Sequence, residues 1–441
     1  MQILFIHQNM PGQFVHLARH FAADHRHRVA FVTKRKNVQM PGVLKIEYGL
    51  MPAKGRIPHD WLINLQNAVT YGEGAARAIA TLLGKHRFRP DVVVAHPGWG
   101  EALFVKDLLP DVPLLNYVEF YYRAFGADSY FDPADVPEPK DLFRIRIKNA
   151  NNLLNLELCD WGLCPTYWQW WQQPPLLRSK LSVVHDGINV DVVRPDPDAA
   201  LPLPGGPVLT RRDPVVTYVA RHLEPYRGFP QFMHAIERVM ARRPDVQVVV
   251  VGADGAGYGR KPPPGTTYRE LLLKEVKVDP GRIHFLGTIP YATYLKVLQV
   301  SAVHVYLTVP FVLSWSMLEA MAAGCQLVAS APPPVIEVAE DGRNALLVDF
   351  FDEAGIAERI LEALDRQEPL APLRQQARQT VLDRYALSRC LPQQVALIKT
   401  LAAGQAPVPA PPPPDPLAAR FRAATARPAL SARAARARGR T

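Results

Sequence analysis

Short runs of β-branched and aromatic residues alternate with longer stretches of helical periodicity along most of this chain, and the alternation restarts after residue 210. Such a pattern is typical of parallel sheets covered by helices on both faces, because parallel strands need long crossover connections. A chain of 441 residues is also longer than one ordinary hydrophobic core requires. The sequence therefore predicts an α/β protein with two domains.

The predicted elements fall into two series. The first contains strands at Ile3–His7, Val29–Thr33, Val92–Ala95 and Leu114–Val118, with helices at Phe14–Ala23 and Glu101–Leu108. The second contains strands at Val215–Val219, Val246–Val251, Ile283–Leu286 and Val303–Leu307, with a helix at Pro230–Arg242. The sequence His-Asp-Gly-Ile-Asn at 185–189 and the proline-rich stretch after it predict a hinge between the series. A helical stretch at Leu373–Ala402 follows the second series and is expected to pack back across both domains.

Charge and cysteine usage limit the possible functions. The net charge is +10, but seven arginines and one aspartate fall within residues 402–441, so the body is only mildly basic and a nucleic-acid-binding body is not expected. The tail suits weak attraction to an anionic lipid leaflet, and a solvated tail without a partner is the alternative.

The four cysteines show no paired metal spacing, which favours a cytoplasmic protein. No apolar window is long enough to span a bilayer, so any contact with the inner membrane face is expected to be peripheral.

Three motifs follow predicted strands, where ligands bind in open α/β sheets. In His7–Gln13, Gly12 would let the backbone approach a phosphate at a helix start. Arg221 and Arg227 lie six residues apart around a Glu-Pro turn and could converge on one diphosphate; two solvated arginines are the alternative.

The third motif, residues 314–324, predicts a buried helix whose N-terminus near Ser314 points backbone N–H groups at phosphate. Glu319 is the one acidic residue in this apolar stretch. A buried carboxylate needs partners, which either ribose hydroxyls or a structural salt bridge would supply.

The order of these pieces resembles the retaining glycosyltransferases of family four, also called group 1, which have the GT-B fold. The resemblance rests on the two arginines around Glu-Pro, on RIHFLG at 282–287, on SMLEAMAAGCQLVAS at 316–330, and on Glu337 followed by NALLV at 344–348. HDGIN at 185–189 is similar to the inter-domain loop of that family, and the resemblance extends to about Leu401.

The resemblance implies two Rossmann-like domains facing each other across a cleft, with a C-terminal helix crossing back to the N-terminal domain. The implied acceptor-side domain spans 1–193 and the nucleotide-sugar domain spans 194–385. They are followed by a return helix at 386–404 and a disordered Pro/Ala/Arg-rich tail at 405–441.

The resemblance also implies roles for individual residues. Gly12 would lie beside the donor diphosphate, which Arg221 and Arg227 would bind, with Arg227 standing where the family usually has lysine. Ser314 would begin the helix, the backbone N–H groups of Trp315 and Ser316 would hold the distal phosphate, and Glu319 would bind the ribose. His96 is similar to the family's histidine near the transferred sugar. These assignments make His96, Arg221, Arg227 and Glu319 the predicted catalytic group.

One position departs from the family pattern. The first glutamate of its Glu-x7-Glu motif would stand at residue 311, which is Phe311. A phenyl ring cannot accept hydrogen bonds from donor-sugar hydroxyls. We interpret the change as a variation within the family that bears on donor identity.

Two aromatic segments, 117–130 and 161–171, predict either acceptor stacking or ordinary core packing. Glu119 in the first segment is a candidate for orienting an acceptor hydroxyl. The glycine-rich loop Gly252–Gly259 lacks the helix start that a dinucleotide-binding fingerprint needs.

The sequence thus predicts a glycosyltransferase that moves a sugar, with retention, from a UDP- or GDP-sugar to a hydroxyl of a glycan, a lipid-linked molecule or a protein. No tightly bound cofactor and no metal are expected, because no Asp-x-Asp motif stands at a predicted strand end. Two alternatives remain open: a non-catalytic GT-B paralogue that binds nucleotide-sugar or scaffolds a partner, and an epimerase or phosphorylase on the same fold.

Overall fold

The structure, a computed structural model, describes residues 1–51, 55 and 59–425 and divides the chain into two units. Unit 1 comprises residues 1–186 together with the chain after residue 387, and unit 2 comprises residues 187–387. The change between units falls inside the HDGIN segment that predicts the hinge. It comes seven residues before the boundary expected at 193.

Unit 1 is built on a seven-stranded parallel sheet with the order β3-β2-β1-β4-β5-β6-β7. Its strands are β1 (Gln2–Ile6), β2 (Arg28–Thr33), β3 (Val43–Glu47), β4 (Val92–Ala95), β5 (Leu114–Tyr117), β6 (Trp161–Cys164) and β7 (Leu181–Val183). Its first helices are α1 (Val15–Ala22), α2 (Ile63–Gly84), α3 (Val105–Leu108), α4 (Pro139–Lys148), α5 (Ala150–Leu158) and α6 (Tyr167–Gln172).

Unit 2 contains a six-stranded parallel sheet and a short antiparallel hairpin formed by β8 (Ala200–Pro202) and β9 (Val208–Thr210). The sheet has the order β12-β11-β10-β13-β14-β15. Its strands are β10 (Val215–His222), β11 (Gln247–Ala253), β12 (Ile283–Gly287), β13 (Val303–Tyr306), β14 (Gln326–Ser330) and β15 (Leu346–Val348). Its helices are α7 (Phe229–Arg242), α8 (Tyr268–Glu275), α9 (Tyr291–Val300), α10 (Trp315–Ala322), α11 (Pro333–Ile336), α12 (Glu353–Asp365) and α13 (Ala371–Arg384).

Apolar patterning explains why these elements form. β4, β13 and β14 are buried at every residue, as strands covered on both faces must be. The buried face of α7 includes Phe229, Phe232, Met233, Ile236 and Met240, which recur at three- and four-residue spacing. The predicted alternation of strands and helices in two series is therefore confirmed.

After unit 2 the chain returns to unit 1 as α14 (Leu387–Ala402). Its buried residues Val395, Ile398 and Leu401 join the core that contains Ile3 and Phe5 of β1. The predicted crossing of a C-terminal helix back to the N-terminal domain is confirmed.

Two predicted helices differ in extent. Only Val105–Leu108 of the Glu101–Leu108 stretch is helical, because Gly100 has a φ of +112° and residues 101–104 form turns. The stretch Leu373–Ala402 is divided between α13 and α14. At the break, the N–H of Ile188 donates to the Tyr385 carbonyl and the N–H of Leu387 donates to the Ile188 carbonyl, so these groups bond outside the helices.

The chain beyond residue 405 also differs from the expected disordered tail, as far as it is described. The N–H of Ala410 donates to the Leu181 carbonyl, and helix α15 (Asp415–Thr425) follows. Phe421 is fully buried, with ring centroids 5.4 Å from Trp168 and 5.9 Å from Trp171. The burial of this one aromatic ring stabilises a helix in a segment whose low-complexity composition predicts disorder. Residues 426–441, with five of the seven tail arginines, lie outside the described residues.

None of the described helices combines the length and apolar content needed to cross a membrane.

Replacing the anchor with Phe421→Ala should release α15 without unfolding unit 1. A buried Phe→Ala change costs about 3–5 kcal/mol, but here the loss cannot exceed the free energy that docks the helix. We expect faster hydrogen exchange in residues 410–425 and a nearly unchanged melting temperature. The exposed Arg422→Ala on the same helix is the matched control and should leave exchange as it is. A large drop in melting temperature for Phe421→Ala would contradict this account.

Candidate functional site

A pocket of about 680 Å³ opens in unit 2 where β10 and β13 end. The next strand after β10 is β11, which lies toward one edge of the sheet, and the next strand after β13 is β14, which lies toward the other edge. Ligands bind at such switch points in doubly wound sheets. The pocket lining includes every unit 2 residue that the sequence singles out for the donor, namely Arg221, Arg227, Ser314, Trp315, Ser316 and Glu319.

Two guanidinium groups give this pocket its charge. Arg221 is exposed near the end of β10, and Arg227 donates from Nη1 to Thr308 Oγ1 over 2.8 Å. Neither forms an ion pair with a carboxylate among the described residues. Both cations are therefore available to an anionic ligand, for which they could supply charge-assisted hydrogen bonds.

The acidic residue between the arginines is used elsewhere. Glu224 is buried, and its Oε2 accepts the backbone N–H groups of Gly257, Tyr258 and Gly259 over 2.8, 3.2 and 3.2 Å. The carboxylate thereby anchors the glycine-rich loop whose first residue, Gly252, lines the pocket. The sequence analysis missed this role, because Glu224 is 33 to 35 residues away from the loop residues whose N–H groups it accepts.

The N-terminus of α10 is at the pocket, as predicted. Ser314 caps the helix by accepting the Ser316 N–H at its hydroxyl over 3.3 Å, and the two hydroxyl oxygens lie 2.9 Å apart. A phosphate bound by Ser316 would therefore replace or share the serine cap. The helix-terminal position and the two hydroxyls suit an anion chemically.

Glu319 is held by two tyrosines. The hydroxyls of Tyr291 and Tyr294 donate to its two oxygens over 2.7 and 2.6 Å. Burial and the charge of Glu319 hold the pKa of Tyr294 well above its usual range, so this hydroxyl keeps its proton. The predicted alternative of a structural salt bridge does not apply, since the described chain gives Glu319 no cationic partner. Each carboxylate oxygen can accept more than one hydrogen bond, which leaves room for ligand hydroxyls.

Phe311 is packed into an aromatic cluster and is not among the residues that line this pocket. Its ring centroid lies 5.3 Å from that of Tyr226 and 4.8 Å from that of Tyr258. The guanidinium of Arg227 lies 5.8 Å from the same ring. The aromatic side chain at this position therefore packs beside one of the pocket arginines without neutralising its charge, as a glutamate there would do.

A second group of polar side chains lies in unit 1, at the ends of β1 and β4. These strands form the switch point of that sheet, and His7 and His96 directly follow them. The two imidazole centroids are 4.9 Å apart. Both rings are buried, and His96 stacks on Trp99 with centroids 4.6 Å apart.

Hydrogen bonds fix the direction of every donor in this group. The backbone N–H of Asn9 donates to His7 Nδ1 over 2.9 Å, so Nε2 carries the proton and donates to Gln13 Oε1 over 2.7 Å. Gln13 Nε2 then donates to Glu119 Oε1 over 3.0 Å. These bonds define a directed chain that ends on a carboxylate.

His96 also donates to Glu119, and, as for His7, a backbone N–H group fixes its tautomer. The N–H of Gly98 donates to its Nδ1 over 3.2 Å, so the proton resides on Nε2, which lies 3.1 Å from Glu119 Oε2. Protonating Nδ1 would break the bond from Gly98. Both nitrogens of His96 are thus occupied, and the ring orients Glu119.

Gly12 has a local structural reason to be glycine. Its φ is +52°, and a Cβ there would collide with the His7 ring. The residue leaves space for the buried imidazole.

Glu101 lies beside this group, since Gln8, which follows His7, donates from Nε2 to Glu101 Oε1 over 3.4 Å; the sequence analysis places Glu101 in a helix and misses this position. It is buried, and burial raises the pKa of its carboxyl. Tyr48 donates to its Oε1 over 2.6 Å, whereas Oε2 has no partner among the described residues. A buried polar residue next to the Pro-Gly-Trp-Gly turn was the available signal.

Some aromatic residues of the two aromatic segments belong to the core, while others, such as Phe120 and Tyr167, are only partly buried. Tyr117, Trp168 and Trp170 are all buried, which supports packing for these residues over acceptor stacking.

The neutral state of His7 predicts a pH dependence of stability. Burial and the neighbouring His96 lower the pKa of His7 to about 3, while the unfolded chain titrates near 6.5. Below pH 6.5 the unfolded state takes up a proton that the native state refuses, so the unfolding free energy falls, by up to about 1.4 kcal/mol per pH unit. Replacing His7 with asparagine should make this fall less steep between about pH 6 and 4 in urea unfolding.

The variant should retain the remaining slope from His185 and His304, whose pKa values burial lowers to about 4 and about 3. The exposed His25→Asn is the matched control, because it removes no buried hydrogen bond. An unchanged slope in His7→Asn would contradict a buried, neutral His7.

Known proteins resemble this chain in sequence and in fold. Residues 25–193 match the family described as Glycosyl transferase family 4 group, and residues 213–366 match Glycosyl transferases group 1. A D-inositol 3-phosphate glycosyltransferase of Corynebacterium efficiens is 29% identical over 193 residues, which are 42% of this chain and 44% of that protein. A phosphatidyl-myo-inositol mannosyltransferase of Mycolicibacterium smegmatis is 28% identical over 35% of this chain and 37% of its own. The matched part thus spans less than half the length of these relatives.

Solved structures share the fold over most of both chains. A sucrose-phosphate synthase of Thermosynechococcus elongatus superposes with a TM-score of 0.65 at 19% identity, covering 92% of this chain and 100% of that one. HepE of Anabaena, solved with UDP-glucose, gives a TM-score of 0.63 at 15% identity, covering 91% and 100%. At these identities the likeness shows the fold alone, which is GT-B. Together with the two family matches, it places the chain in the family 4, group 1 glycosyltransferases.

Proposed function

We propose that this protein transfers a sugar from a nucleotide-diphosphate sugar to a hydroxyl acceptor, with retention at the anomeric carbon. The observation that carries the proposal is the unit 2 pocket at a switch point of the sheet, where no described carboxylate forms an ion pair with Arg221 or Arg227. HepE, which shares the fold, was solved with UDP-glucose and with UDP, which supports a UDP-sugar donor here; a GDP-sugar remains the alternative.

The proposed donor site divides the nucleotide sugar among three groups. Arg221 and Arg227 bind the diphosphate, and the capped start of α10 at Ser314–Ser316 binds its distal phosphate. Glu319, oriented by Tyr291 and Tyr294, accepts the ribose hydroxyls. When the bond between the anomeric carbon and the diphosphate breaks, negative charge develops on the leaving group. Fixed guanidinium groups stabilise that charge electrostatically and need no metal for the purpose.

Unit 1 supplies Glu119 to the acceptor in this proposal. His96 and Gln13 hold the two oxygens of Glu119 by directed hydrogen bonds. His96 then acts through Glu119 as a positioning residue, since its own nitrogens are both occupied. A carboxylate in a fixed orientation can accept a hydrogen bond from an attacking hydroxyl. The acceptor class is a glycan, a lipid-linked molecule or a protein, and arginines after residue 425 would add attraction to an anionic membrane.

Donor hydrolysis and transfer test this function in two steps. Incubation with UDP-glucose, GDP-mannose and other nucleotide sugars should release free nucleotide slowly without acceptor, and proton NMR of a transfer product should show the donor's anomeric configuration. Glu119→Gln keeps the shape but weakens the acceptor contact, so we expect transfer to fall about 10- to 100-fold, which is about 1.4–2.8 kcal/mol, with unchanged donor affinity.

The conservative His96→Asn variant should reduce kcat less than Glu119→Gln does, because it disturbs only the orientation of the carboxylate. An inverted product would contradict retention. Donor binding without any turnover across a broad acceptor mixture would instead favour the non-catalytic paralogue.

A further inference from the structure

A second pocket in unit 2, of about 310 Å³, is lined by three arginines: Arg211, Arg374 and Arg378. It lies at the amino-terminal edge of the sheet. Arg211 precedes β10, and the lining residues Gln299 and Gly324 lead into β13 and β14. The pocket is therefore separate from the donor pocket, which lies at the carboxyl ends of the strands.

No carboxylate forms an ion pair with these three arginines in the part of the chain that the structure describes. Arg211 donates to the carbonyls of Ser301 and Gly324 over 2.7 and 2.9 Å. Arg374 donates to the backbone and side-chain oxygens of Gln367 over 2.8 and 3.0 Å. Arg378 donates to the carbonyls of Ala322 and Val193. The partners are neutral, so three full positive charges line one pocket.

The bonds to these oxygens do not use all the N–H donors of Arg374 and Arg378. A guanidinium carries five N–H bonds, yet Arg374 and Arg378 each donate from Nη1 alone. Their Nε and Nη2 groups have no acceptor among the described residues. An Nε and Nη2 pair is the fork that binds two oxygens of one phosphate.

The cluster is also electrostatically unfavourable as it stands. Burial and the charge of Arg211 lower the pKa of Arg374, and burial and the charge of Arg194 lower the pKa of Arg378. The acids that offset this are Asp196, which lines the pocket, and Glu368, which attracts Arg374. Positive charge remains in excess, and an anion bound in the pocket would relieve it.

We infer that this pocket is a second anion-binding site, which takes a small ligand bearing a phosphate group. Its volume is at the lower end of the range for small-molecule sites and suits a compact phosphorylated molecule. Helix α10 joins the two pockets, because Ser316 near its start lines the donor pocket and Ala323 just after its end lines this one. The inference concerns binding only and does not depend on the proposed transfer reaction.

The test measures binding of inorganic phosphate and pyrophosphate by calorimetry, at constant ionic strength set with chloride. Arg221→Ala/Arg227→Ala serves as the background, so that the donor pocket contributes little. We expect one site with a dissociation constant of about 1 mM or tighter. Arg374→Gln should weaken binding at least about tenfold, the loss of one charge-assisted interaction. Arg366→Gln is the matched control, because Arg366 is ion-paired with Glu362 and does not line the pocket.

Gln375→Glu is a second test variant, in case Arg374→Gln weakens binding only because it disturbs folding. Gln375 is exposed and lines the pocket, and its substitution adds a competing negative charge without removing any arginine bond. It should also weaken phosphate binding at least about tenfold, whereas the exposed Gln393→Glu, which does not line the pocket, should not. Binding weaker than about 10 mM in the background protein, or equal affinity in Gln375→Glu, would overturn the inference.

Discussion

Both candidate sites depend on one constraint of parallel β-sheets. At a switch point, the connections that follow two neighbouring strands run to opposite faces of the sheet. The opening this leaves at the carboxyl ends lies between β1 and β4 in unit 1 and between β10 and β13 in unit 2. The residues that follow these strands are therefore brought together without being near in sequence. His7 and His96 meet in this way, and so do Arg221 and the start of α10.

The two openings have opposite chemical character. In unit 1 His7 donates to Gln13, and both Gln13 and His96 donate to Glu119, which gives one oriented carboxylate. In unit 2 the carboxylate of Glu224 is bound by backbone N–H groups, and the neighbouring arginines form no ion pair within the described part of the chain. A group that accepts hydrogen bonds suits a hydroxyl, and a pair of cations suits a diphosphate. The division matches the separate acceptor and donor roles proposed for the two units.

Local patterns predicted the fold and several residues that line the unit 2 pocket. The run Val215–Val219 identified β10, and the spacing of Arg221 and Arg227 after it was enough to place both in one pocket. What sequence could not predict are partners made by long-range packing. The tyrosines on Glu319 come 28 and 25 residues before it, and Phe421 is buried against Trp168 although its surroundings have a disordered composition. Glu101 was missed because residues 101–104 form turns where the sequence predicts the start of a helix.

The central claim is that the guanidinium groups of Arg221 and Arg227, which no described carboxylate neutralises, make the unit 2 pocket a diphosphate site. Calorimetric titration of UDP-, GDP- and ADP-sugars without added metal tests it most directly, comparing the unmodified protein with Arg221→Ala/Arg227→Ala and with the exposed Arg238→Ala on α7. We predict selective binding of one nucleotide, retained in Arg238→Ala and weakened about 100-fold or more when both pocket arginines are removed. Equal affinity in the double variant, or no binding by any of the three nucleotides, would contradict the account.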